Sequence, residues 1–118
     1  TIFINGSGEQ IRSYTYVSDS AEASIKIAFT KKTNNQTYNV GNGMDPINLK
    51  NLAKKIMFLS RKKVKIKFIK NFSKFNRKKN REINFRFCDT SKIKNIINWK
   101  PKIRIDRGIK LILSSLRG

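Results

Sequence analysis

Residues 6–19 read GSGEQIRSYTYVSD, and this stretch decides how the rest of the sequence is interpreted. Its two glycines favour a tight turn, because glycine tolerates backbone conformations that other residues avoid. Residues 11–17 then alternate in side-chain character with a period of two, which predicts a strand. Residues 18–20 (Ser-Asp-Ser) are of types that cap helices, so we expect a helix from Ala21 to about Thr30.

The next segments alternate between strands and a helix. Residues 37–40 (TYNV) predict a short strand that ends at the Gly-Asn-Gly turn of residues 41–43. Asn48 precedes a run in which apolar residues recur at helical spacing, so it predicts the capped start of an amphipathic helix. Residues 64–68 (VKIKF) alternate cleanly and predict a half-buried strand.

The last part of the chain predicts one long loop and two helices. Residues 70–86 are rich in Lys and Arg and predict a basic loop, of a length that is often functional or disordered. Asp89 or Thr90 caps the next helix, which ends before the Trp-Lys-Pro sequence of residues 99–101. Asp106 is expected to cap the final helix.

The order of elements is two strands, a helix, a strand, a helix, a strand, a loop and two helices. This order predicts an α/β protein, here a small mixed α+β domain that spans residues 1–118. The first strands have no obvious partners within the chain, and an unpaired edge invites pairing with another segment. We therefore expect the sequence to begin partway through a larger fold.

The chain is strongly basic, with a net charge of +20 from 27 Lys and Arg against 7 Asp and Glu. Such a charge raises the hypothesis of nucleic-acid binding. An AT-rich genome is a competing explanation, because it favours Lys, Asn and Ile together, and these supply 49 residues.

Several classes of protein are excluded by composition. The sequence has no His and only one Cys, Cys88, so it predicts neither a zinc site nor an internal disulfide. No apolar run approaches the roughly 18 residues of a membrane span, and no secretory signal is visible. These features lead us to expect a cytoplasmic protein without membrane association.

Three motifs in the right order resemble one protein family. Residues 6–19 match G-x-G-x-Q-x-R-x-[FY]-x-[YH]-V-x-D at every defined position, and residues 38–43 (YNVGNG) are similar to Y-N-[VIL]-G-x-G. Residues 86–92 (RFCDTSK), followed by the Trp-Lys-Pro sequence and Gly108, resemble R-x-x-D-x-S-K…W-x-P…G. The chain thus resembles the C-terminal third of the NAD(P)-dependent epimerase/dehydratase family. These extended short-chain dehydrogenases, UDP-glucose 4-epimerase among them, act on nucleoside-diphosphate sugars.

The resemblance implies two arginine ligands for a diphosphate. Arg12 is the first, and Tyr14, two residues further along the predicted strand, is expected to line the same pocket and donate its hydroxyl. Arg86 is the second, with Arg81, beside Glu82, as the weaker alternative. Arginine suits a diphosphate because its planar fork forms paired, charge-assisted hydrogen bonds. Each residue also has an ordinary alternative, a surface arginine beside a core tyrosine or a solvated basic loop.

The resemblance also assigns a nucleoside pocket to the loop after residues 37–40. Asn42 and Met44 are the expected contacts to the base and ribose. An ordinary strand-to-helix turn is the alternative. The loop is not a dinucleotide fingerprint, because the third glycine of that pattern is missing.

The family's catalytic and cofactor residues are absent from this sequence. The family pairs a tyrosine and a lysine at Y-x-x-x-K spacing, whereas the residues four positions after the tyrosines of this chain are Ser18, Ser20 and Asn42. NAD or NADP would therefore bind a missing N-terminal Rossmann domain, which would carry out hydride transfer at C4 of the sugar. We expect this chain alone to bind no cofactor and to turn over no substrate. A homodimer is compatible with the resemblance, since many family members pair through helices of that other domain.

Two other functions stay open at this point. Phenylalanines interleave with basic residues around residues 70–86, a mixture that suits a nucleic-acid-binding module. No RNA-binding aromatic signature or helix-turn-helix pattern accompanies it. The third possibility is a truncated remnant that keeps the ancestry but no activity.

Overall fold

The computed structural model describes residues 1–69 and 83–116. The part of the chain it describes is a mixed α+β structure, as the sequence predicts. Its elements are β1 (Ile2–Asn5), β2 (Ile11–Arg12), α1 (Val17–Ala28), a 3₁₀ turn (Lys31–Thr33), β3 (Ile47–Asn48), α2 (Leu49–Ser60), β4 (Ile66–Ile69), β5 (Phe85–Arg86), α3 (Ser91–Ile97) and α4 (Ile105–Ser115). No helix within the described ranges is both long enough and apolar enough to cross a bilayer.

The strands form two small sheets. β1 pairs in parallel with β4, while β2 lies between β3, which is antiparallel to it, and β5, which is parallel. The expectation that the first strands have no partner within the chain is therefore wrong. Their partners are short and far away in sequence, so no local pattern indicates them.

The predicted strand over residues 11–17 is mostly wrong. Only Ile11 and Arg12 pair with neighbouring strands, and α1 already begins at Val17. Asp19 does not cap this helix; its carboxylate, 2% exposed, accepts the backbone N–H groups of Lys102 (3.0 Å) and Ile103 (2.8 Å). The acid thus fixes a distant loop, and α1 extends four residues further towards its N-terminus than its sequence suggests.

Two further strand and loop predictions need correction. Residues 37–40 form no strand among the described residues; Tyr38 and Val40 instead pack against the buried core of Ala23, Ile93 and Trp99. The predicted loop over residues 70–86 is wrong at its end, where Phe85–Arg86 is β5. Residues 70–82 lie outside the described ranges.

The helix starts differ in how well local sequence indicates them. Asn48 caps α2 as predicted, because its Oδ1 accepts the backbone N–H of Asn51 at 2.7 Å. Thr90 occupies the N-cap position of α3, although it makes no side-chain cap. Asp106 is wrong as a cap, since it lies within the first turn of α4, after Arg104 at the N-cap.

Candidate functional site

The pairing of β2 with β5 brings two of the predicted ligands together. Arg12 and Arg86 are register partners on these parallel strands. Both line a cavity of about 350 Å³, and Asn42 lines it from the facing loop. Residues from the N-terminal and the C-terminal parts of the chain therefore meet at one open site.

The guanidinium groups differ in how they are held. Arg12 is half-buried, and its Nη1 donates a hydrogen bond to the carbonyl of Ile11 at 2.8 Å. This contact fixes one side of the fork, and the remaining N–H groups are available to an anion. Arg86 is exposed. Two neighbouring cations repel each other, so an anion bound between them would relieve the repulsion.

Asn42 is fully buried and organises the loop at the cavity wall. Its backbone N–H donates to Oγ1 of Thr15 at 2.9 Å, and its Oδ1 accepts the backbone N–H of Met44 at 2.8 Å. The amide also helps slightly to lower the pKa of Asp45, yet its Nδ2 has no acceptor in hydrogen-bonding geometry among the described residues. The interaction of Asn42 with Asp45 is thus weak.

Gly41 lets this loop approach the strand that carries Arg86. A methyl group built on Gly41 would lie 2.7 Å from Cβ of Cys88 and 3.0 Å from its Sγ. No side chain larger than hydrogen fits at that distance, so the close approach requires glycine here. The contact sets the distance between the Asn42 loop and the arginine pair.

Tyr14 and Met44 lie at other cavities. Tyr14 lines an apolar cavity of about 260 Å³ between α2 and α4, together with Leu52 and Ile56. The strand alternation that placed Tyr14 beside Arg12 does not apply, because β2 ends at Arg12. Met44 lines a cavity of about 480 Å³ beside Asp45 and Arg104.

The structure therefore brings together Arg12, Arg86 and Asn42 from the predicted site at one cavity, whereas Tyr14 and Met44 line other cavities. Arg81 lies outside the described residues. Contact of any of these residues with a ligand stays a prediction.

Sequence reasoning missed other residues that line the arginine cavity, among them Ser13, Cys88 and Asp89. Hydrogen bonds from the Ser91 hydroxyl and backbone N–H hold the pKa of Asp89 below its ordinary value. Burial, reinforced by the charge of Asp89, raises the pKa of the Cys88 thiol. The position of both residues next to Arg86 in the R-x-x-D motif is the signal that could have identified them.

The turn at residues 41–43 does not have the arrangement of a dinucleotide-binding turn. After the turn at residues 41–43 the chain enters β3 and reaches α2 only at Leu49. A dinucleotide site needs a strand, a glycine turn and a helix in direct succession, so that the helix N-terminus meets the pyrophosphate. Within the described ranges there is also no group of three His, Cys, Asp or Glu residues that could hold a metal ion.

Comparison with known proteins agrees with this fold. Residues 1–112 match the family described as GDP-mannose 4,6 dehydratase. The chain is 33% identical over 109 residues to a UDP-glucuronate 4-epimerase of Thermodesulfobacterium geofontis, covering 92% of this chain and 31% of that protein. It is 31% identical over 109 residues to a UDP-N-acetyl-alpha-D-glucosaminuronate decarboxylase of Bacillus cytotoxicus, covering 92% of this chain and 33% of that protein.

A solved structure shows the same fold at lower identity. The UDP-glucuronic acid 4-epimerase of Bacillus cereus, in complex with UDP-glucuronic acid and NAD, superposes with a TM-score of 0.81. The identity is 20%, and the match covers 98% of this chain but 34% of the epimerase. The chain thus spans about a third of the length of the relatives that it matches. With the family match over residues 1–112, these findings show that the chain belongs to the GDP-mannose 4,6 dehydratase family of NAD-dependent nucleotide-sugar epimerases and dehydratases.

Proposed function

We propose that residues 1–118 form the substrate-holding part of an NAD(P)-dependent enzyme that acts on a UDP-linked uronic acid. In this proposal the chain binds the diphosphate and nucleoside, and a cofactor domain outside it carries out hydride transfer at C4 of the sugar. The share of the relatives' length that the chain covers supports the division of labour. The names of the two relatives support uridine and a uronic acid as the ligand.

The observation that carries the proposal is the meeting of Arg12, Arg86 and Asn42 at one cavity. Two arginines on paired strands can form charge-assisted hydrogen bonds with both phosphates of a diphosphate. Asn42 lies beside them, and its buried side chain orders the loop that would receive the ribose or base. The cavity volume of about 350 Å³ lies within the usual range for small-molecule sites.

The chain's contribution to catalysis is positioning. Holding the nucleotide end fixes the sugar relative to a cofactor and a catalytic tyrosine, and such proximity lowers the entropic part of the barrier. No residue of this chain is assigned a catalytic role, and the chain alone is expected to bind no NAD(P) and to turn over nothing. With a single cysteine, Cys88, the protein suits the cytoplasm, where we place the reaction.

Isothermal titration calorimetry on the 118-residue chain tests the proposal. The ligands are UDP-glucuronate, UDP, UMP and inorganic pyrophosphate, each titrated at several NaCl concentrations. We expect UDP-glucuronate and UDP to bind more tightly than UMP, because UMP lacks the second phosphate, and more tightly than pyrophosphate, which lacks the nucleoside. GDP-mannose serves as the competitor that differs in base and sugar.

Three outcomes would contradict the proposal. Equal affinity for UDP and pyrophosphate would show that the chain only attracts anions. Tighter binding of oligonucleotides of any sequence, with a steep loss of affinity in salt, would favour the nucleic-acid-binding module instead. Hydride transfer by the pure chain, followed by NADH absorbance, would overturn the assignment of chemistry to another domain.

A further inference from the structure

We infer that Asp45 is a positioning residue for the nucleoside end of the site. It acts through a clasp, the hydrogen bonds from Arg104 and Ile105 to its carboxylate, which attaches the Asn42 loop to the start of α4. The inference rests on the proposed function, since it concerns the same site. Asp45 does not line the arginine cavity, so any effect on ligand binding must pass through the loop that carries it.

The clasp is a charged hydrogen-bond cluster. Oδ1 of Asp45 accepts hydrogen bonds from Nη2 of Arg104 at 2.6 Å and from its Nε at 3.1 Å. Oδ2 accepts the backbone N–H of Ile105, the first residue of α4, at 3.2 Å. The Asp45 side chain is 12% exposed, so its carboxylate is shielded from water, whereas the Arg104 side chain is 68% exposed.

The loop between the clasp and the cavity has two further attachments, and both involve Asn42. Its backbone N–H is bound to Oγ1 of Thr15, and its side chain accepts the N–H of Met44, the residue before Asp45. The loop is therefore held at Asn42 from the β2 side and at Asp45 from the α4 side. Release at Asp45 leaves Met44 supported only through the Asn42 side chain.

A second ion pair in the same cleft supplies a matched control. Lys55 of α2 contacts Oδ1 of Asp106 at 2.6 Å, and both residues line the cavity that Asp45 lines. Asp106 lies in the first turn of the same helix and pairs with Lys55 of α2; its charge also acts on Arg104, but among the described residues it makes no hydrogen bond to the loop. Asp45→Asn and Asp106→Asn therefore make the same chemical change in one cleft, and only the first releases the loop.

The test measures UDP and pyrophosphate binding by calorimetry for Asp45→Asn, Arg104→Ala, the double variant and Asp106→Asn. We expect Asp45→Asn and Arg104→Ala each to raise the dissociation constant for UDP by about three- to tenfold. Pyrophosphate, which does not reach the nucleoside loop, should bind within about twofold of the original chain. The double variant should be little worse than Asp45→Asn, because both single changes break the ion pair and only Asp45→Asn also alters the acceptor of the Ile105 N–H.

Amide hydrogen exchange supplies a readout that does not depend on the ligand. The Met44 amide should exchange faster in Asp45→Asn than in the original chain and in Asp106→Asn, whereas Ala23 in the core should not change. Fluorescence of the buried Trp99 verifies that each variant is folded. If the original chain binds no UDP, the proposed function fails, and the exchange data still decide whether the clasp holds the loop.

Three results would overturn the inference. The first is unchanged UDP affinity in Asp45→Asn, and the second is an equal loss for UDP and pyrophosphate. The third is an effect of Asp106→Asn as large as that of Asp45→Asn, which would mean that any charge in the cleft matters. Restoration of UDP affinity by Asp45→Glu, which keeps the carboxylate, would support the charged clasp.

Discussion

At the scale of single residues, the proposed function depends first on Arg12. Arg12→Ala should weaken UDP binding by about 1.5–3 kcal/mol, the loss of a hydrogen bond to a charged group. Arg12→Lys should recover only part of this, because an ammonium keeps the charge but not the planar fork. Calorimetry at fixed NaCl measures both variants, and Arg107→Ala, an exposed arginine on α4, controls for the lost charge. Equal losses in Arg12→Ala and Arg107→Ala would remove Arg12 from the site.

Asp19 is a residue whose importance is structural. Its buried carboxylate accepts the N–H groups of Lys102 and Ile103, and removal of the acceptor leaves two backbone donors unsatisfied. Asp19→Ala should lower the free energy of unfolding by about 2–4 kcal/mol. Asp19→Asn keeps an acceptor oxygen in place and should lower the free energy of unfolding by less than Asp19→Ala does. Urea unfolding followed by Trp99 fluorescence measures both, and equal losses would show that the acceptor oxygen is not what matters.

At the scale of secondary-structure elements, the start of α2 is the clearest test of whether local sequence sets a helix boundary. Asn48→Ala removes the oxygen that accepts the Asn51 N–H and should destabilise the chain by about 0.5–2 kcal/mol. Asn48→Asp keeps the acceptor and should be close to the original chain. Asn95→Ala, the same change at an exposed position inside α3, should be neutral or slightly stabilising. Urea midpoints compare the three variants; no loss in Asn48→Ala would mean that packing alone sets this helix start.

Among helices and strands, local sequence predicts some boundaries, and long-range contacts set the others. The start of α2 follows from Asn48 and the apolar spacing after it, both of which are local. β2 stops after Arg12 and α1 starts at Val17 because β3, β5 and the Asp19 contact are supplied by distant residues. The pairing of Arg12 with Arg86 depends on the same long-range contact, so only the family resemblance predicted it. The strand period places Tyr14 in the same pocket as Arg12, but β2 ends at Arg12, and Tyr14 lines another cavity.

At the scale of the whole molecule, the net charge of +20 opposes the folded state. Like charges held close together in a compact chain repel one another, and salt screens this repulsion. The five ion pairs among the described residues have the opposite salt dependence, but each has at least one exposed partner, and exposed pairs contribute little to stability. We expect repulsion to dominate, so that NaCl stabilises the fold.

Urea unfolding in NaCl tests this balance, since urea is uncharged and leaves the ionic strength to the salt. The urea midpoint should rise as NaCl increases from about 0.01 M to about 0.15 M, where the screening length falls from about 30 Å to about 8 Å. A variant with Lys31, Lys63 and Lys100, all exposed, changed to Glu has a net charge lower by six, +14 in place of +20, and should respond less. UDP affinity should fall over the same range, because salt screens a bound anion as well as repulsion between the protein's own charges. A midpoint that falls with NaCl would mean that the ion pairs, and not the charge excess, govern how this chain responds to its ionic surroundings.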